Sequence, residues 1–116
     1  MDSILTSIKK LLGIDESYTQ FDTDLIMHIN SVFMILSQLG IGPSTPFLIQ
    51  DKYSTWDEFI EEGDSQYEKM ELVKSYMYLK VKLLFDPPIS SAVMESTNRM
   101  ISEFEWRLNV AAETKE

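Results

Sequence analysis

The sequence predicts an all-α fold, a small helical bundle of about four to five helices with a Gly/Pro-rich loop and at most one short extended segment. Three observations carry that expectation. Apolar residues recur at three-to-four spacing, capping or breaking residues separate those stretches, and the stretches cover about two-thirds of the chain, against about one-third helix in an average protein. At 116 residues, with no internal repeat or Ser/Gly linker, a single domain spanning 1–116 is expected.

Residues 2–12 read as the first helix. Ile4, Leu5, Ile8, Leu11 and Leu12 form one stripe, Lys9 and Lys10 sit at the negative end of the helix dipole, and Gly13 is a natural stop. A second helix begins near Asp22, whose carboxylate can accept bonds from orphan N–H groups, and runs to Leu39 before Gly40. Gly40-Ile41-Gly42-Pro43-Ser44-Thr45-Pro46 breaks regular structure, and Phe47-Leu48-Ile49 is an extended segment too short to build a sheet alone. Thr55-Trp56-Asp57-Glu58 spells a capping box, so a brief helix is expected from Trp56 to Glu61, closed by Gly63. Asp64 or Ser65 starts the third main helix, which ends at Phe85 because Asp86-Pro87-Pro88 removes donors and restricts the preceding residue. Ser90 or Ser91 caps the final helix, which extends to about Ala112.

Two helices carry apolar residues on both sides. In the last, Val93, Thr97, Met100, Ile101, Phe104, Leu108 and Ala111 form the expected core stripe, while Trp106 and Val110 fall nearly opposite. Trp106 is either tolerated exposure or a contact anchor. In the second, Leu25, Ile26, Ile29, Val32, Phe33 and Leu36 face one way and Met27 and Met34 sit behind them. No Asp, Glu, Lys or Arg occurs from Leu25 through Gln50, so this helix is expected to be covered on both sides, by its own chain or by another subunit. The third helix is apolar over a wide arc (Leu72, Val73, Tyr76, Met77, Leu79, Val81, Leu83, Leu84, Phe85) and reads as central. Within that arc Lys80 must snorkel or pair.

Charge excludes several functions. With 19 acidic and 10 basic side chains the chain carries −9, and no helix concentrates Lys and Arg, which disfavours nucleic-acid reading and attachment to anionic lipid. Residues 51–71 alone hold eight acids against Lys52 and Lys69, a net −6. Asp57, Glu58, Glu61, Glu62 and Asp64 form either a solvated surface or one that faces DNA or a basic partner. There is no cysteine, and His28 is the sole histidine, so thiolate chemistry, a His-rich metal site and a histidine-based catalytic cluster have no basis within one chain. Asp22-Thr23-Asp24 fails to continue as a calcium loop, Gly40-Ile41-Gly42 fails as a phosphate loop, and no pocket marks Glu61/Glu62 or Glu103/Glu105 for acid–base work. No enzyme, no cofactor and no metal are expected. Met1-Asp2-Ser3 lacks the basic start and apolar run of a secretory signal, and a soluble intracellular product is expected.

One further pattern is whole-chain. Ile4-Leu5-Thr6-Ser7-Ile8-Lys9-Lys10-Leu11-Leu12-Gly13, then Asp24 to Gly40 around Ile29-Asn30-Ser31, then Leu83-Leu84-Phe85-Asp86-Pro87-Pro88 and Glu103-Phe104-Glu105-Trp106-Arg107-Leu108-Asn109 occur in that order. In this order the chain resembles the head-tail connector (adaptor, or head-completion) proteins of long-tailed bacteriophages and prophages. The resemblance implies a structural protein of the virion's head-tail junction, assembled in the host cytoplasm as a ring homo-oligomer, commonly dodecameric, beneath the portal protein. Such a ring extends the DNA channel without binding DNA specifically, uses no membrane, and presents a surface to the next connector or tail protein. On that view Met27, Met34, Trp106 and Val110 are subunit or portal contacts, and Asp86, Pro87 and Pro88 form a hinge for the terminal helix. The competing expectation is a small acidic regulatory module that binds a basic protein as a monomer or dimer.

Overall fold

A computed structural model describes residues 3–113 of the chain. It contains five α-helices, α1 (Ile4–Leu12), α2 (Asp22–Gln38), α3 (Trp56–Phe59), α4 (Met70–Phe85) and α5 (Ser91–Glu113), with a 3₁₀ turn at Tyr67–Lys69. Among the described residues there is no strand, only an isolated antiparallel bridge between Ser3 and Thr55. The molecule measures 40 × 35 × 20 Å, and its short axis matches two layers of helices about 10 Å apart. As its wide apolar arc predicts, α4 is central, packing against α1, α2 and α5.

The first helix starts one residue after Ser3, whose hydroxyl accepts the Thr6 N–H at 3.1 Å. Residue 2, the expected start, lies outside the described residues. Gly13 closes α1 with φ 80°, a left-handed cap that glycine adopts without steric penalty. At α2 the expectation needs correction. Phe21, not Asp22, occupies the cap position, with no side-chain cap bond. Asp22 turns back instead to the ammonium of Lys9, 2.9 Å from Oδ1.

The extended segment at 47–49 pairs with no strand because a side chain meets its backbone needs. Asn30 of α2 donates from Nδ2 to the Ile49 carbonyl at 2.9 Å and accepts the Ile49 N–H at 2.8 Å. That fixes the loop across the helix and buries Ile49. Phe47 packs on Phe33, which also meets Phe59 and Trp56, with ring centroids 5.2, 4.7 and 6.3 Å away.

Short α3 begins as its capping box predicts, with Glu58 accepting the Thr55 N–H at 2.7 Å, but it stops at Phe59 rather than Glu61. Ile60 is extended and buried, a direction that a further helical turn would not give it. The third main helix also starts later than Asp64 or Ser65. Asp64 accepts the Gln66 N–H at 2.8 Å, the 3₁₀ turn follows, and regular α-helix begins at Met70.

Candidate assembly surfaces

Only the C-terminal part of α5 is built into the bundle. Ile101 and Leu108 are buried, and Tyr76, fully buried on α4, donates its hydroxyl to Glu105 Oε2 at 2.7 Å. Burial first, and then that bond, push the Tyr76 phenol well above its usual range. The expected core stripe fails in the first half of the helix, where Val93 and Met100 are exposed. Of residues 91–100 only Met94 and Thr97 are half-buried, so this stretch finds too little neighbouring surface to cover its apolar face.

Trp106 projects on the far side of α5 from Ile101 and Leu108 and is 67% exposed, with Val110, half-buried, one turn later. On α2, Met27 is 59% and Met34 43% exposed. Met27, His28, Ser31, Val32, Ile35, Lys80, Leu83 and Leu84 line a groove of about 420 Å³ between α2 and α4. Leu84, assigned to the apolar arc of α4, is exposed at its rim. Lys80 is half-buried and has no ion pair among the described residues, consistent with an ammonium carried outward on its stem.

At Asp86 the chain leaves α4 with φ −147° and ψ 71°, its N–H donating to the Lys82 carbonyl at 2.8 Å. After Pro87, Pro88 and a fully exposed Ile89, Ser90 caps α5: its hydroxyl accepts the Val93 N–H at 3.3 Å and its carbonyl the Met94 N–H at 3.0 Å.

The acidic residues divide by task. Asp57 accepts the Tyr67 hydroxyl at 3.3 Å, Glu58 closes the α3 capping box and Asp64 bonds to Gln66, whereas Glu61 and Glu62 point to solvent. Partial burial and then the Asp57 charge raise the Tyr67 phenol's pKa. No cluster of His, Asp or Glu among the described residues is arranged to hold a metal ion. Nor is any described helix long and apolar enough to cross a membrane.

Two buried polar residues escape a reading of the sequence alone. Lys9 is 2% exposed, and its ammonium donates to the carbonyls of Glu16 at 3.0 Å and Tyr18 at 2.7 Å while facing Asp22 as a close ion pair. Its position is a signal, since Leu5, Ile8, Lys9 and Leu12 follow the spacing of one helical face. Gln66, also buried, bridges the glycine loop, donating to the Gly40 carbonyl at 2.9 Å and accepting the Gly42 N–H at 3.0 Å. Gln66 stands in a polar stretch, and nothing local marks it.

The described residues present two exposed apolar patches, one on α2 and one on α5, on a small acidic bundle. A family model described as phage connector protein matches residues 4–115. No curated protein and no solved structure matches the chain. Because the match runs through all five helices, and takes in both patches and the Asp86-Pro87-Pro88 break between them, the chain belongs to the phage head-tail connector family and serves as a structural connector of the phage particle.

Proposed function

We propose that the protein assembles into a ring of about twelve copies beneath the portal, where it extends the DNA channel and joins the packaged head to the next connector or tail component. The observation that supports this reading is the pair of separate exposed patches, Met27 and Met34 on α2 and Trp106 with Val110 on α5. A ring of more than two copies needs two different surfaces on every subunit, because each copy contacts one neighbour with one face and the next with another. At −9 per chain, a ring of that size carries on the order of −100 charges, and an acidic wall lets DNA pass without adhering. The exposed Glu61 and Glu62, with Asp57, Glu58 and Asp64 beside them, are the proposed source of that wall. Asp86, Pro87 and Pro88 are the proposed hinge about which α5 changes its packing when the ring meets the portal.

Electron microscopy of the protein mixed with its portal tests the reading, with a ring on the portal's tail-side face as the expected image. A strict monomer that ignores the portal and captures a soluble basic protein would instead establish the regulatory-module alternative. Hydrogen exchange of α5, free and docked, tests the hinge; equal protection in both states would remove it.

A further inference from the structure

The groove between α2 and α4 is apolar without being neutral. Met27, Val32, Ile35, Leu83 and Leu84 supply its surface, Lys80 is its one permanent cation, and no carboxylate belongs to its lining. In a chain with 19 acidic and 10 basic side chains, most surfaces of two copies repel each other, and this groove is a place where an acid of a second copy is drawn in.

The outer face of α5 has the complementary chemistry. Trp106 stands largely exposed, Val110 follows one turn later, and Glu113 lies two turns beyond the indole on the same face. Glu113 has no ion pair among the described residues, whereas of the other nearby acids Glu103 is paired with Arg107 at 3.3 Å and Glu105 accepts from Tyr76. A groove of about 420 Å³ has room for an indole and a valine side chain together. Trp is also the residue type most often found as the anchor of such contacts.

The geometry points to a head-to-tail contact in which the Trp106 face of α5 in one copy seats in the α2–α4 groove of the next, with Glu113 directed at Lys80. Trp106 faces away from α4 within its own protomer, so every bound pair leaves one groove and one indole free for further copies. The contact deepens the ring reading above and rests on it.

The chain has no cysteine, which allows site-specific cross-linking without background. Ser31→Cys places a thiol in the groove lining and Ser102→Cys places one a turn before Trp106, both by a near-isosteric change at an exposed serine. With portal present and a short bifunctional maleimide added, the double variant should give a ladder of covalent multimers. Adding Trp106→Ala should reduce that ladder at least tenfold. In the unlinked protein, Lys80→Glu should weaken association by sedimentation, and Glu113→Lys in the same chain should recover it. Rings seen by microscopy without any ladder would overturn this pairing and leave the ring intact. Absence of both rings and ladder would overturn the ring reading as well. Cross-links that join only the two groove thiols of a pair of copies, or that run from either engineered position to the portal, would overturn the pairing by assigning the patch to a symmetric dimer or to the portal.

Discussion

Lys9 shows how one side chain can decide the path of a loop. Its stem fills the apolar stripe of α1 while its head collects two carbonyls and a carboxylate from residues 16–22, so the connection to α2 is folded around a charge. Lys9→Met keeps the stem and removes the head, leaving those acceptors and Asp22 without their partner. We expect a loss of about 2–4 kcal/mol in urea unfolding; a change below about 0.5 kcal/mol would mean that water replaces the ammonium at no cost. Gly42 is constrained in another way. Its φ of 92° lies in the left-handed region, and a Cβ there would collide with the ring of Phe59, so both the backbone and the packing demand glycine. Neither role is legible from composition: Lys9 reads as a dipole-compensating surface lysine, and Gly42 as one more loop glycine. The stripe spacing marks the first, but the second depends on where Phe59 arrives from a distant part of the chain.

At the level of elements, α5 is two different helices in sequence. Its second half is seated by Ile101, Leu108 and the Tyr76–Glu105 bond, while its first half is covered only in part, with Val93 and Met100 exposed. Leu108→Ala should cost about 2–5 kcal/mol, the range for truncating a fully buried leucine, whereas Met100→Ala should remain within about 0.5 kcal/mol. Thermal or urea unfolding of the two variants checks both. The five helices, the capping box, the Gly13 stop and the Asp86-Pro87-Pro88 break are all readable in the sequence, because each depends on residues within one turn of one another. The stripe of α5 misleads from Val93 to Met100 because periodicity reports which face is apolar and says nothing about whether a neighbouring helix is there to meet it. Likewise Asn30 stands out in the sequence only as part of an uncharged helix. Its bidentate grip on Ile49 joins positions 19 residues apart, beyond the reach of any local pattern.

For the whole molecule, net charge and exposed apolar surface act in opposition. Copies carrying −9 each repel at low ionic strength, where the Debye length is about 30 Å at 0.01 M, and the repulsion is largely screened at 0.15 M, where it is about 8 Å. Association measured by sedimentation should accordingly strengthen across that salt range. Trp106→Ala and Met34→Glu should leave a helical, soluble protein by circular dichroism while impairing ring formation or portal docking. Substantial unfolding of either variant would place those side chains in the core instead. The patches themselves are legible as positions on helical wheels, since rotation puts Trp106 opposite Leu108 and Met27 behind Ile29. The groove that joins α2 to α4 is not, because it exists only after the two helices pack.

The fastenings of the long loop and of the last helix differ in chemistry. Asn30 and Gln66 hold the long loop with amides, which neither gain nor lose a proton across the working range of a protein. Tyr76 holds α5 with a phenol whose folded form keeps its proton more tightly than the unfolded chain does, so that stabilisation is complete below the ordinary phenol value near 10 and drains away as pH climbs above it. Wild type should lose stability more steeply than Tyr76→Phe between about pH 9 and 11, measured by urea titration. Alkali should accordingly loosen the seat of the last helix at its phenol, while the bonds that Asn30 and Gln66 make to the long loop are untouched by it.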